Sequence, residues 1–225
     1  MLRVVAIIGV VTLASLAGSG AARAWDEVSG AMPPQSKSSV IVKWHAIQAQ
    51  LNEDAVHLMA CRADPEACSI EHKRLEEVVD RGRLRAGRAR VGEVNRTINL
   101  MVRPMSDWRQ YGMRDRWSSP LETLRTGAGD CEDYAILKYL ALREAGIAAD
   151  DLQLVIVRDV IARADHAMLA VRLERRWLVL DNRNLVLADL QSVLHLKRYR
   201  VVARFGPDAD APAYAGIAAA YESLM

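Results

Sequence analysis

The sequence predicts an α+β domain, on two observations: amphipathic helical spacing fills the first half of the chain, and alternating or continuous apolar runs of strand length fill the second. A third supports it: a capped helix sits where the period changes, placed to pack on the sheet that follows. The expected architecture is therefore a set of N-terminal helices and then a central helix lying on an antiparallel sheet.

The chain opens with Met1-Leu2-Arg3, runs apolar over residues 4–16 and reaches Ala22-Arg23-Ala24, the layout of a secretory signal peptide cut after Ala24. The bland alternative is an uncleaved amphipathic anchor. The apolar run is short of the roughly 20 residues a spanning helix needs. Residues 25–39, rich in Ser, Pro and Gly, read as a flexible arm, and residues 40–225 as one folded domain. The formal charge of +2 includes Arg3 and Arg23, so residues 25–225 are formally neutral. No bulk field is present to attract nucleic acid or anionic lipid.

Helical spacing covers residues 42–61, 70–84 and 91–102, the last with Val91, Val94 and Ile98 on one face and Pro104 as its stop. Arg81, Arg83, Arg85, Arg88 and Arg90 read as a solvated face, because Glu76, Glu77 and Asp80 lie beside them. Ser119-Pro120-Leu121-Glu122 reads as an N-cap, a first-turn proline and a capping-box acid, and Gly127 ends that short helix. Asp130 caps the next helix, over residues 131–145, and Gly146 stops it. Strands follow over residues 152–157, 167–173, 177–180 and 201–205.

Of three cysteines, Cys61 and Cys68 bracket Pro65 and are expected to form a disulfide, which leaves Cys131 free. A zinc site of His57, Cys61, Cys68 and His72 is the competing reading, since each His lies four residues from a Cys. Cys131 opens the central helix, where unpaired N–H groups favour a thiolate. Gly127 and Gly129 leave room for a substrate backbone, and the Cys131 amide is placed to donate to an oxyanion.

If Leu173 and Arg176 pair across a two-residue turn, His166 faces Arg183, and Asp181 lies on the same side of the sheet, within diagonal reach. A three-residue turn would separate them. Cys131, His166 and Asp181 are thus the candidate nucleophile, base and orienting carboxylate. Trp117 and Tyr134 either line the cleft or pack the helix, and Asn182 either orients the site or ends a strand.

Three blocks carry a resemblance: residues 117–122 leading into Gly127-Ala-Gly-Asp-Cys-Glu-Asp-Tyr, then His166-Ala-Met-Leu-Ala, then Leu178-Val-Leu-Asp-Asn. In these the chain resembles the bacterial transglutaminase-like cysteine peptidases. The resemblance implies a papain-like, transglutaminase-like core, a Cys-His-Asp triad at the three positions above, and thiol proteolysis in the periplasm. It also implies a calcium site built on Asp130, Glu132 and Asp133, in keeping with calcium's preference for oxygen ligands. From one member it implies a surface adhesin as substrate and an inner-membrane receptor as regulator. Two alternatives share the fold: a transglutaminase or deamidase acting on glutamine side chains, and a binding module without turnover.

Overall fold

The computed structural model describes residues 34–206. The expected signal peptide, residues 25–33 of the expected arm and residues 207–225 lie outside them. Helix α1 (Pro34–Ala63) begins eight residues before the expected start, so the last part of the arm is helical.

A single 3₁₀ turn (Pro65–Ala67) joins α1 to α2 (Ile70–Arg83), whose N-cap Ser69 accepts from the His72 amide. The Cys61–Cys68 disulfide closes this corner with a Cα–Cα distance of 5.0 Å, which settles the cysteine pairing against the zinc reading. Two of the arginines of this region meet acids as expected: Arg81 bonds Glu77 at 2.9 Å, and Arg83 bonds Glu76 at 2.9 Å and Asp80 at 3.1 Å, whereas Arg88 and Arg90 bond the backbone carbonyls of Leu187 and Arg85.

Helix α3 (Gly87–Met101) buries Val91, Val94 and Ile98 completely. It ends before β1 (Arg103–Pro104), which pairs in parallel with β2 (Ala128–Gly129). Between these two-residue strands lie α4 (Asp107–Tyr111) and α5 (Pro120–Thr126). Ser119 caps α5 as expected, accepting from the Glu122 amide at 3.3 Å. The Glu122 carboxylate does not return to close the box; it bonds Arg116 at 2.7 Å, a stronger charge-assisted partner.

Helix α6 (Cys131–Glu144) is buried along most of its length and ends in a Schellman arrangement, with Gly146 at φ 95 and the Ile147 amide bonded to Leu142. The sheet has the order β6-β5-β4-β3-β7 and is antiparallel throughout. Its strands are β3 (Leu152–Asp159), β4 (Ala164–Leu173), β5 (Arg176–Leu180), β6 (Ala188–Asp189) and β7 (Tyr199–Phe205).

Alternate residues divide the sheet into two faces. Leu154, Ile156, Leu169, Val171, Leu178 and Leu180 join the helices in the main core. Val155, Val157, Met168, Ala170 and Val179 form a second cluster with Leu190 of the short helix α7 (Leu190–His195). Both faces are covered, which is why β3 reads as a continuous apolar run. Among the described residues no helix is long and apolar enough to cross a membrane.

Candidate active site

The β4–β5 hairpin sets the geometry of the site. Leu173 pairs with Arg176, and Glu174 and Arg175 both take positive φ, at 48° and 66°, so the connection is the two-residue turn on which the sequence argument depends. The ladder runs back to Leu169 opposite Leu180. Continuing that register by one residue brings Asp181 alongside the strand that carries His166. His166 Nε2 and Asp181 Oδ1 lie 2.9 Å apart, and the same oxygen accepts from the Arg183 amide at 2.9 Å.

Burial pushes the Asp181 carboxyl upward, but the His166 hydrogen bond and charge, with the Arg183 amide, outweigh it and hold Asp181 below the usual range. His166 is 1 % exposed, and Tyr199 of β7 stacks on its ring with centroids 6.1 Å apart. Its Nδ1 is buried with no hydrogen-bond partner.

Cys131 is the first residue of α6, and the Ala167 amide, one residue past His166, acts on its sulfur. No hydrogen bond joins Cys131 to His166. Instead the thiol donates to Glu132 Oε2 at 2.9 Å. Burial first, then the Glu132 charge, push the Cys131 thiol up, against the thiolate expected at a helix N-terminus. The dipole is outweighed by a neighbouring carboxylate in a desolvated site.

The two glycines differ. Gly127 sits at φ 61 and closes α5, a conformation that favours glycine, and nothing lies within 4 Å of the place its Cβ would take, as expected. Gly129 makes no open space: a Cβ there would lie 2.6 Å from Asp133 Oδ2, so its missing side chain is filled by the Asp133 carboxylate. That carboxylate accepts from the Ser118 amide at 2.8 Å and the Asp130 amide at 3.3 Å, which fixes the first turn of α6.

The acidic group that the structure brings together shares Asp130 and Asp133 with the expected set and adds Asp107. Asp107, Asp130 and Asp133 each bring an oxygen within 4.8 Å of the others, while Glu132 is engaged with Cys131. Asp107 is far from the motif in sequence. The β1–β2 pairing carries it there, with the Met105 amide bonded to Gly129 at 2.9 Å. Asp130 is pushed far up by burial and by Glu132, Asp133 and Asp107; Asp133 is raised by burial and by Asp107. Asp130 Oδ1 is buried without a partner. Three desolvated, mutually repelling carboxylates form a donor set that suits a hard cation.

Tyr134 is a packing residue, 1 % exposed, with its hydroxyl donating to the Val102 carbonyl. Trp117 is half-buried against the main core with Lys43 5.8 Å from its ring centroid. Asn182 Oδ1 is buried and unpartnered.

The family model of the bacterial transglutaminase-like cysteine proteinases matches residues 48–202. The chain belongs to this family. Among solved structures it is similar to LapG of Legionella pneumophila, at 21% identity and a TM-score of 0.53, covering 70% of this chain and 84% of that one. The calcium-bound form of the Legionella pneumophila protein matches at a TM-score of 0.54 with the same identity and coverage. At this identity the likeness shows the shared fold. No curated protein matches the chain. A transglutaminase-like cysteine peptidase is therefore the class to which fold and family assign it.

Proposed function

We propose that this chain is an exported cysteine endopeptidase in which Cys131 attacks the scissile carbonyl, His166 serves as base and acid, and Asp181 orients the imidazole. The observation that carries this reading is the 2.9 Å contact of His166 Nε2 with Asp181, which leaves the buried Nδ1 free beside the strand residue whose amide acts on Cys131. In the first step the thiol proton passes to His166 Nδ1, and sulfur forms a tetrahedral adduct with the carbonyl carbon. Collapse gives a thioester and releases the amine, protonated by His166. Water, deprotonated by His166, then hydrolyses the thioester and regenerates the thiol. The Cys131 amide at the open end of α6 is the oxyanion donor in this scheme.

Asp107, Asp130 and Asp133 would hold a calcium ion, whose charge would discharge the acidic group and fix the first turn of α6 beside the nucleophile. Export to the periplasm is supported by the N-terminal layout and by the Cys61–Cys68 bridge, which oxidising compartments favour. The substrate in this reading is a cell-surface protein such as an adhesin, with an inner-membrane receptor as regulator.

The test is incubation of the protein lacking residues 1–24 with periplasmic and surface proteins, followed by mapping of new N-termini. New termini are expected with the parent protein and none with Cys131→Ser. A calcium chelator is expected to suppress them and added calcium to restore them. Transfer of acyl groups to amines without new termini would assign the same residues to a transglutaminase and overturn the peptidase reading.

A further inference from the structure

Lys138 lies seven residues after Cys131, on the same face of α6, and is completely buried. Its Nζ has no hydrogen-bond partner and sits 5.7 Å from the Tyr134 ring centroid. An ammonium left unpaired in a packed core opposes folding, and an apolar side chain of similar volume would serve packing better. Among the described residues, the charged group that acts on Lys138 is Asp181. Asp181 is also held from α3: Asn99 Nδ2 donates to its backbone carbonyl at 2.9 Å and to that of Asn184 at 3.0 Å. Asn95, one turn earlier and fully buried, donates to Asn184 at 3.2 Å and Leu185 at 3.3 Å.

We infer that Lys138 and Asn99 are positioning residues for Asp181: the first is a buried, unpartnered amine that interacts with its carboxylate through charge, and the second donates to its backbone carbonyl so that the carboxylate is held toward His166. The inference rests on the cysteine-peptidase reading above. Burial pulls the Lys138 amine down to about 7 and the Asp181 charge opposes this, so the two groups are linked in the folded protein. Neither residue touches the reacting atoms. Their effect on chemistry runs through the His166–Asp181 pair alone, and this gives the test its form.

The rate of Cys131 labelling by iodoacetamide is measured for the parent, Lys138→Met, Asn99→Ala and Asp181→Ala, and for each of the first two combined with Asp181→Ala. Lys138→Met and Asn99→Ala are each expected to slow labelling about tenfold in the parent, equivalent to a 1.4 kcal/mol higher barrier. Neither is expected to slow it further once Asp181 is gone. Lys138→Met is also expected to keep or raise the thermal midpoint, an outcome a structural lysine would not give. Equal slowing with and without Asp181, or no slowing in the parent, would overturn the inference. If Lys138→Met does not fold, the Asn99 pair decides by the same comparison. His166→Ala separates the two claims: if it labels at the parental rate, the peptidase reading fails, whatever the double variants show.

Discussion

Replacing His166 by alanine is expected to slow peptide cleavage by about 10³–10⁴-fold, the range that loss of a general base and triad partner spans. The magnitude follows from the resting state of the sulfur. A preformed thiolate would attack without help. Here burial and the Glu132 carboxylate disfavour the thiolate, so the proposed reaction calls for a base to take the proton. His166 Nδ1, buried and without a hydrogen-bond partner, is the base in that proposal. The measurement is kcat/KM on a peptide spanning the cut site identified by N-terminus mapping. Retention of more than a tenth of the parental value would mean that another group takes the proton.

Gly129→Ala is expected to destabilise the fold by about 3 kcal/mol, combining an overpacking penalty with the loss of buried hydrogen bonds. The added methyl would stand 2.6 Å from Asp133 Oδ2 and 2.7 Å from its Cβ, which no rotamer change moves, so the first turn of α6 has to shift and carry the Asp133 carboxylate with it. Moving it breaks the bonds to the Ser118 and Asp130 amides and strands both donors in a dry site. Denaturant unfolding of the variant reads this directly. A loss under about 1 kcal/mol would show that the carboxylate relaxes without leaving its donors.

The hairpin and the caps were legible in the sequence because they obey local rules. A two-residue turn fixes register, and register fixes which side chains share a face, so Asp181 could be placed against His166 from spacing alone. Ser119, Asp130 and Gly146 mark helix ends for equally local reasons. Asp107 was not legible. It reaches Asp130 and Asp133 through a two-residue parallel ladder, too short to leave any period, and nothing about Ser106-Asp107 marks it as part of a distant acidic group. Asn99 was not legible for a related reason: within a helix its side chain is an interruption, and its partners on the 181–185 loop lie more than eighty positions away. The environment of Cys131 was not legible because the helix dipole is a sequence-local feature, whereas burial and the Glu132 rotamer, which push the thiol up, are products of packing.

Trapping the covalent intermediate addresses the chemistry most directly. The parent protein is mixed with the cleavable peptide, quenched in acid within milliseconds, and digested for mass mapping. The expected product is the peptide's N-terminal fragment joined to Cys131 as a thioester, released by hydroxylamine and missing in Cys131→Ser. A covalent fragment on any other residue, or cleavage that persists in Cys131→Ser, would contradict the account.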